Sequence, residues 1–478
     1  MHRSLFDEVR RFARPILLSA AAIALSIGST PAIAGPSVYP TGVTIYNPQK
    51  AYNGYVVFSA PDGKTHMIDM NGNEVHRWDY YAFPAELIDP AKNGGKRGHL
   101  VVQTRNGTSF PYFGGMLDNQ EVGEVDWDGN VVWRWAGPSP VSPALQNHDW
   151  ARLPNGNTLL ITSAIRVVGG VSDKPIDDQV IREVNPRGET VWSWAAGDHI
   201  DEFGVSAEGR DLLRKIYRDG SLGYGFLTIN DMQPIGPNKW FDGGDKRFDP
   251  DNIVIDSREA NFIAIIEKKT GKIVWRIGPD FNPPNQATEG YASLSSANPR
   301  PMLSLSVPRP VDQTSGQHDA HIIPKGLPGE GDLLVFDNEG PAGFPSSRLS
   351  VEVGSRILEI NPVTKQIVWQ YTAANSDAPE WTFFSSFISS ARRLPNGNTL
   401  IDEGMNGRIF QVTSTGEIVW EYVNPYYGRE SVGLYSPVRT NWVFRAQPVP
   451  YDWAPEGTKH SEVPVSPVDN ANFRVGGK

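Results

Sequence analysis

A short pattern of alternating apolar and polar residues recurs six times along the chain. The copies read GNEVHRWDY near residue 72, GNVVWRWAG near 129, GETVWSWAA near 188, GKIVWRIGP near 271, KQIVWQYTA near 365 and GEIVWEYVN near 416. Alternation of period 2 predicts a β-strand with one buried face. The Val before the aromatic residue or its substitute recurs at intervals of 57, 59, 83, 94 and 51 residues. Each interval exceeds the roughly 40 residues that four short strands and their turns require.

A second apolar strand precedes several of the copies, as in VIREV, NFIAIIE, RILEI and RIFQV. Further upstream, RLPNGNTLLITS and RLPNGNTLIDEG place Asn-Gly turns between two more strands. Two hairpins make a four-stranded sheet that cannot bury both of its faces alone. Six such sheets predict an all-β fold, a six-bladed β-propeller with short helical and loop insertions. A pair of β-sandwiches and a parallel β-helix are the alternatives, but the intervals disfavour the helix and six units exceed one sandwich.

The two ends of the chain are assigned separately from the repeats. Residues 1–34 have four arginines before an apolar run and end in Ala32-Ile33-Ala34, which indicates a signal peptide. The apolar run is too short for a stable membrane anchor, and no later stretch reaches about 18 apolar residues. We expect an exported protein, periplasmic or secreted, with the propeller over 35–455 and a polar C-terminal tail over 456–478. Residues 440–455 are expected to tie the last sheet to the N-terminal one.

Charge and composition narrow the possible partners. The chain has no cysteine and a formal net charge of −10, which becomes −12 without the four arginines and two acidic residues of the signal segment. Such an acidic protein is a poor candidate for nucleic-acid binding, and an anion site must depend on local Arg and His. No P-loop, Gly-x-Ser-x-Gly or His-Glu-x-x-His motif occurs, so the sequence predicts neither a cofactor nor a metal. It carries no signal for an oligomeric state.

One motif occurs twice, as NHDWARLPNG from Asn147 and QHDAHIIPKG from Gln317. It comes directly before the turn of the first strand of a sheet, which lines the channel of a propeller. Aligning the turns puts four polar residues at one level of the channel: His148, Asn230, His318 and Ser389. Alternation sends the neighbouring Asp149, Asp231 and Asp319 to the other side, where they can bond backbone amides of a neighbouring blade. The alternative is that these polar residues only satisfy hydrogen bonds and water in the channel.

Arginines and aromatic residues near the channel mouth complete the candidate site. Arg258, Arg348 and Arg408 each follow an inner strand and are candidate anion donors. Ion pairs between blades are the alternative for each. Four aromatic residues before the sixth inner strand are expected either to clasp a ring-bearing ligand or to pack as a rim: Trp381, Phe383, Phe384 and Phe387.

Four long stretches resemble the bacterial arylsulfotransferase superfamily, from about residue 42 to 450: GVTIYNPQKAYNGYVVFSA, FDPDNIVIDSREANFIAIIEKKTGKIVWRIGPD, QHDAHIIPKGLPGEGDLLVFDNEG and RLPNGNTLIDEGMNGRIFQVTSTGEIVWEYVNP. The resemblance implies a six-bladed propeller, exported, that transfers a sulfuryl group from an aryl sulfate to a phenol through a channel histidine. The Gln-His-Asp-Ala motif of the family matches Gln317 to Ala320, which implies a catalytic His318. The His-x-Asn motif matches only as Thr228-Ile229-Asn230, and the family's arginine matches Arg348 across a longer loop.

Three functions remain open at this point. In a sulfuryl transferase, His318 or His148 is the nucleophile, Arg348 is the third catalytic residue, and the substrate contacts Asn230, Arg258, Ser389 and Phe387. In a polysaccharide lyase or other carbohydrate-active propeller, His148, His318 and His321 are acid–base groups or metal ligands, and an Arg neutralises a uronate. The third function is a binding propeller without catalysis.

Overall fold

Antiparallel sheets of four or five strands repeat around a common axis and form a six-bladed β-propeller. The computed structural model describes residues 40–106, 119–137, 144–220, 225–279, 309–310, 314–340, 342–344, 354–430 and 438–467. The predicted fold class is therefore confirmed. Residues 1–34 and Arg348 lie outside the described residues.

The strands follow one another blade by blade along the chain. After β1 (Gly42–Tyr46), blade 1 contains β2 (Tyr55–Ala60), β3 (Lys64–Ile68) and β4 (Glu74–Trp78), and blade 2 contains β5 (Tyr81–Leu87), β6 (Leu100–Asn106), β7 (Asn119–Val125) and β8 (Val131–Trp135). Blade 3 contains β9 (Gln146–Arg152), β10 (Thr158–Arg166), β11 (Ile176–Val184) and β12 (Thr190–Ala195), and blade 4 contains β13 (Ile229–Pro234), β14 (Ile253–Ser257), β15 (Phe262–Ile266) and β16 (Ile273–Ile277).

The second half of the chain adds two larger sheets. Blade 5 contains β17 (Arg309–Pro310), β18 (His318–Ile322), β19 (Leu333–Asp337), β20 (Arg356–Asn361) and β21 (Gln366–Tyr371). Blade 6 contains β22 (Ser390–Arg393), β23 (Thr399–Glu403), β24 (Arg408–Val412) and β25 (Ile418–Val423). A hairpin of β26 (Gly428–Glu430) and β27 (Val438–Thr440) follows, and β28 (Ala446–Val449) is the last strand.

Helical segments occur only in connections of the described part of the chain. Helix α1 (Ala207–Ile216) lies between β12 of blade 3 and β13 of blade 4, and the single turn α2 (Lys239–Asp242) lies between β13 and β14 within blade 4. Short 3-10 turns are Pro90–Lys92, Ala196–His199, Lys246–Phe248, Ala373–Ser376, Glu380–Thr382, Gly404–Asn406 and Tyr451–Trp453. The Ser206 side chain caps α1 by accepting from the Gly209 amide. No helix in the described ranges is long and apolar enough to cross a membrane.

Both ends of the propeller chain close the ring. Strand β28 pairs with β2, from Tyr55 opposite Val449 to Phe58 opposite Ala446, and so supplies the innermost strand of blade 1. Strand β1 pairs with β25 as the outermost strand of blade 6. The prediction that residues 440–455 tie the last sheet to the first is confirmed. Beyond β28, Val465 exchanges backbone hydrogen bonds with Tyr46.

The recurring aromatic position explains the sixfold sequence pattern. Its ring N–H donates to a backbone carbonyl of the next blade in every blade: His76 to Trp127, Trp133 to Pro186, Trp192 to Lys268, Trp275 to Pro362, Trp369 to Ser414 and Trp420 to Met70. The donor–carbonyl distances are 2.7 to 3.1 Å. The pattern thus encodes one hydrogen bond across each interface between blades, in addition to apolar packing.

Candidate active site

A single arginine gathers three blades at the centre of the propeller. Arg445, directly before β28, has Nη1 3.0 Å from Asp149 Oδ1, Nη2 2.6 Å from Asp231 Oδ1 and Nε 3.1 Å from Asp319 Oδ1. All four side chains are 2% exposed or less. Burial acts to lower the pKa of Arg445, but the charges of the three aspartates outweigh it and raise that pKa. The guanidinium therefore stays charged in the interior.

Two of these aspartates also bind the backbone of the following blade, as predicted. Asp149 Oδ2 accepts from the Met232 amide at 3.0 Å, and Asp319 Oδ2 accepts from the Ala391 amide at 3.0 Å. Sequence reasoning did not find Arg445, although it lies in the segment expected to close the ring. The alignment of Asp149, Asp231 and Asp319 could have indicated it. Buried carboxylates need a positive charge nearby, so the three aligned aspartates predict a buried cationic partner.

The strand register confirms the alignment of the four channel residues. In each of the four blades, the first residue of the second strand pairs with a residue of the inner strand, and the channel residue lies four positions before that partner. In blade 3, for example, Thr158 pairs with Arg152, four positions after His148. The same offset holds for Asn230, His318 and Ser389. They stand on or beside the inner strands β9, β13, β18 and β22. A register shift between His318 and His321 marks a bulge in β18. The His321 Nδ1 lies 2.8 Å from the Asp319 carbonyl oxygen.

His318 is buried, and protein atoms contact both of its ring nitrogens. Nδ1 lies 2.7 Å from Asn338 Oδ1 and 3.0 Å from the Gly316 carbonyl oxygen. Because both neighbours can only accept, Nδ1 carries the proton. Nε2 then accepts from the Ile388 amide at 3.0 Å. Burial first, and then the charge of Arg258, hold the pKa of His318 well below its ordinary value, so the ring is neutral.

His148 is also buried and neutral, in a different setting. Its Nδ1 lies 3.0 Å from Asn147 Oδ1. Burial lowers the pKa of His148 to about 3, with smaller contributions from the charges of Arg258 and Arg445 and an opposing one from Asp149. The two imidazoles are thus unprotonated at neutral pH.

Arg258 supplies positive charge to both histidines. Its backbone amide donates to the Thr228 carbonyl at 3.0 Å, which fixes it at the end of β14. Its guanidinium pairs with Glu259, and Nη2 lies 3.5 Å from the Ser386 carbonyl oxygen. The side chain is 18% exposed, which leaves it partly accessible. Of the predicted arginines, Arg258 lies in the site.

Arg408, by contrast, does not contribute to the site. Arg408 is buried and bonds Glu403 and Glu421 of its own blade, so its environment is that of a structural ion pair. Arg348 remains a prediction.

The predicted substrate residues have different environments. Asn230 Nδ2 donates to the Gln317 carbonyl at 3.0 Å, while its Oδ1 is buried with no partner in the described part of the chain. Ser389 Oγ donates to Ser385 Oγ and accepts from the Gly404 amide, so it holds a loop together. Phe387 is half-buried and packs on an aromatic cluster.

This cluster covers the two histidines, and sequence reasoning did not find it. It consists of Tyr81, Phe83, Ile388, Trp442 and Phe444. Phe83 and Phe444 stack at 3.9 Å, and the Phe444 ring centroid lies 6.2 Å from that of His148 and 6.3 Å from that of His318. Its members come from the start of β5 and from the segments before β22 and β28, so they meet only when the ring closes.

The aromatic residues proposed from the sequence are mostly elsewhere. Phe383 is buried in the core between blades 5 and 6, against Phe336, Tyr371 and Phe410. Trp381 is 74% exposed. Of the predicted group, Phe387 is the one that packs on the aromatic cluster.

The site combines the neutral imidazoles of His148 and His318, the positive charge of Arg258 and the aromatic cluster. Among the described residues, no group of three or more His, Cys, Asp or Glu side chains could hold a metal ion. Two neutral imidazoles beside Arg258 suit a reaction in which nitrogen attacks an anionic, ring-bearing group.

These features define a class, a six-bladed propeller with two buried histidines on its inner strands. The arylsulfotransferase (ASST) family model matches residues 60–426, and the chain belongs to this family. A protein of unknown function from Bacteroides caccae is 12% identical, with 83% of this chain and 99% of that chain covered and a TM-score of 0.42. Virginiamycin B lyase from Staphylococcus aureus is 11% identical, with 85% and 94% covered and a TM-score of 0.35. No curated protein matches.

Proposed function

We propose that this protein is an exported sulfuryl transferase that moves a sulfuryl group from an aryl sulfate to a phenol. Family membership supports a transferase of this kind. The observation that carries the proposal is that the rings of two neutral histidines, His148 and His318, lie 6.2 and 6.3 Å from the ring of Phe444, and that the charge of Arg258 acts on both. The rings of Phe83 and Phe444 suit an aryl group, and Arg258 suits its sulfate.

The proposed reaction has two displacements at sulfur. His318 Nε2 attacks the sulfur, the bond between sulfur and the aryl oxygen breaks, and phenoxide leaves with the electron pair. The acceptor oxygen then attacks the same sulfur, and the N–S bond breaks with its electron pair returning to Nε2. The phenoxide leaves without a proton, because neutral His148 has no acidic proton to donate. In the second displacement His148 accepts the proton of the attacking phenol and then passes it to the released phenoxide or to water, which returns the ring to its neutral form. Arg258 binds the sulfonate oxygens, and Arg348 is a predicted second donor.

A chromogenic aryl sulfate, offered with and without a phenol, tests this function. We expect release of the coloured phenol to depend on the acceptor. His318→Gln should lower kcat/KM by at least about 100-fold, because it removes the nucleophile but can still form hydrogen bonds. His318→Ala is less informative, because losing buried hydrogen bonds costs about 1–3 kcal/mol of stability.

The matched control is His460→Ala, which removes an exposed histidine stacked on Tyr451 in the C-terminal segment. Its activity should equal that of the parent. Full turnover by a folded His318→Gln variant would remove His318 from the mechanism. A parent inactive on a panel of aryl sulfates would refute the transferase.

We also propose that the chain is exported and that its mature form begins at Gly35, after Ala32-Ile33-Ala34. N-terminal sequencing of the protein recovered from its native host checks this. Recovery of the full chain from Met1 in the cytoplasm would contradict it.

A further inference from the structure

A short loop, Phe384–Ser389, seals the nitrogen that the proposed reaction uses. Its Ile388 amide donates to His318 Nε2 at 3.0 Å, and the His318 side chain is 3% exposed. Nε2 has one lone pair, which cannot accept this hydrogen bond and form a bond to sulfur at the same time. An aryl sulfate can therefore react only when the Ile388 amide has moved away.

Side-chain hydrogen bonds hold the loop in place. Asn338 Nδ2 donates to the Ser385 carbonyl at 2.7 Å and to the Ile388 carbonyl at 2.8 Å, while Asn338 Oδ1 faces His318 Nδ1. Ser385 Oγ donates to the Phe387 carbonyl at 2.8 Å and accepts from the Met405 amide at 3.1 Å. The loop precedes β22 and is itself not part of any sheet. It can thus shift without breaking a strand ladder.

Two residues of the loop have backbone conformations that L-amino acids disfavour. Ile388 has φ of 56° and Ser389 has φ of 97°. A β-branched residue in this region is an outlier, and such conformations persist only where surrounding contacts enforce them. The closed loop therefore depends on its surrounding contacts, those of Asn338 and the Ser385 hydroxyl together with backbone bonds such as the Ser389 amide to the Phe444 carbonyl. Loss of the Ser385 hydroxyl contacts loosens it.

Close packing of the closed loop is visible at Gly340. A Cβ added at Gly340 would overlap the Ser386 carbonyl oxygen. The absent side chain allows blade 5 to approach the loop at this point. Phe387 and Ile388, on the same loop, pack on the aromatic cluster above the histidines.

We propose that Phe384–Ser389 is a gate, closed in this structure, that must lift from His318 before an aryl sulfate can bind. The inference rests on the proposed function for its role in catalysis. An incoming aromatic ring replaces the packing of Phe387 on the cluster, and the Ile388 amide leaves Nε2. The kcat/KM for donor then scales with the fraction of molecules in which the gate is open.

Labelling of histidine by diethylpyrocarbonate, followed residue by residue with peptide mass spectrometry, tests the gate without any substrate. In the parent, His318 should react far more slowly than the exposed His460 in the same molecule. Ser385→Ala removes the Oγ contacts that hold the loop, and labelling of His318 should become at least about fivefold faster. Its matched control is Ser386→Ala, since the Ser386 Oγ contacts the Met405 sulfur and not the loop backbone.

A second variant opens the gate by a different route. Gly340→Ala pushes the Ser386 carbonyl and should also accelerate labelling, while Gly169→Ala, where a Cβ meets nothing within 4 Å, should not. Thermal melts establish which variants are folded, and either opening variant that folds decides the question. Labelling of His318 at the parent rate in a folded opening variant, or parent labelling as fast as at His460, would overturn the gate.

The activity arm separates this proposal from the proposed function. If both hold, kcat/KM rises by the same factor as labelling in the opening variants. Faster labelling with no turnover of any aryl sulfate would leave the gate standing and remove the transferase. Turnover with unchanged labelling would remove the gate and leave the transferase.

Discussion

At the scale of the residue, the two copies of the His-Asp motif, His148-Asp149 and His318-Asp319, have different surroundings. His318 has Asn338, Gly316 and Ile388 around its ring, whereas the Nδ1 of His148 faces Asn147 beside Phe83 and Phe444. In both pairs the aspartate turns to Arg445. Burial keeps both imidazoles neutral, so neither ring needs a separate base to remove a proton before one of its nitrogens can attack.

The low histidine pKa values predict that activity does not fall on the acid side near pH 6.5. His148 has a pKa of about 3, and the pKa of His318 is well below its ordinary value, so neither ring becomes protonated near pH 6.5. We expect kcat/KM for an aryl sulfate to stay nearly constant from pH 8 down to about pH 5, as long as the fold persists. A profile that falls with a midpoint near the ordinary histidine pKa of about 6.5 would contradict this.

Stability has a pH dependence of defined sign at the same residues. An unfolded histidine binds a proton below about pH 6.5 while buried His148 does not, so the stabilisation present above that pH is lost as pH falls towards the folded value. Each such histidine contributes at most about 1.4 kcal/mol per pH unit. Buried Asp402, with a raised pKa, acts in the opposite direction. Urea unfolding of the parent and of His148→Gln at pH 7 and 5 isolates the histidine: the parent should lose more stability than the variant.

At the scale of the element, each blade is joined to the next by one strand-borne ring. The interface between blade 6 and blade 1 differs from the others because it joins the two ends of the chain, and one terminal strand completes each of these two blades. Strand β28 completes blade 1 from the C-terminal side, and β1 completes blade 6 from the N-terminal side. Strand β28 also follows directly on Arg445, so closure of the ring and neutralisation of the central aspartates occur together.

Truncation separates the contribution of β28 from that of the C-terminal segment. A chain ending at Asn441 lacks Arg445, Phe444 and β28, and we expect it to lose cooperative unfolding and to aggregate, because blade 1 lacks its inner strand and buried carboxylates lack their counter-charge. A chain ending at Ala454 keeps all three and should melt cooperatively. Circular dichroism melts of both chains check this, and equal melting temperatures would show that β28 is dispensable.

At the scale of the whole molecule, a chain of net charge −10 places two arginines, Arg258 and Arg445, at its candidate site. Arg445 balances three central aspartates, and Arg258 acts on the two histidines. Such a protein has no overall charge attraction for an anion, so the proposed binding of an aryl sulfate depends on contacts inside the site. Under the proposed function, the aromatic cluster provides the surface for the aryl ring of the donor.

The sequence by itself determined the blade count, the strand type and the level of the channel residues. These features are local, since a period of 2 and an Asn-Gly turn specify a hairpin wherever they occur, and the sixfold repeat specifies how many sheets stack. The register of His148, Asn230, His318 and Ser389 followed from the turns for the same reason.

Only the tertiary structure decided what those residues contact. Arg445 reaches aspartates more than 100 positions away, at Asp149, Asp231 and Asp319, and Phe83 meets Phe444 from the other end of the chain. The Ile388 amide donates to His318 with Ile388 at a positive φ, a conformation that a β-branched residue disfavours and that the sequence therefore does not predict. Such contacts form when the ring closes and brings distant loops to one axis. They depend on packing between segments far apart in the chain, which the periodicity and turn residues of one segment do not predict.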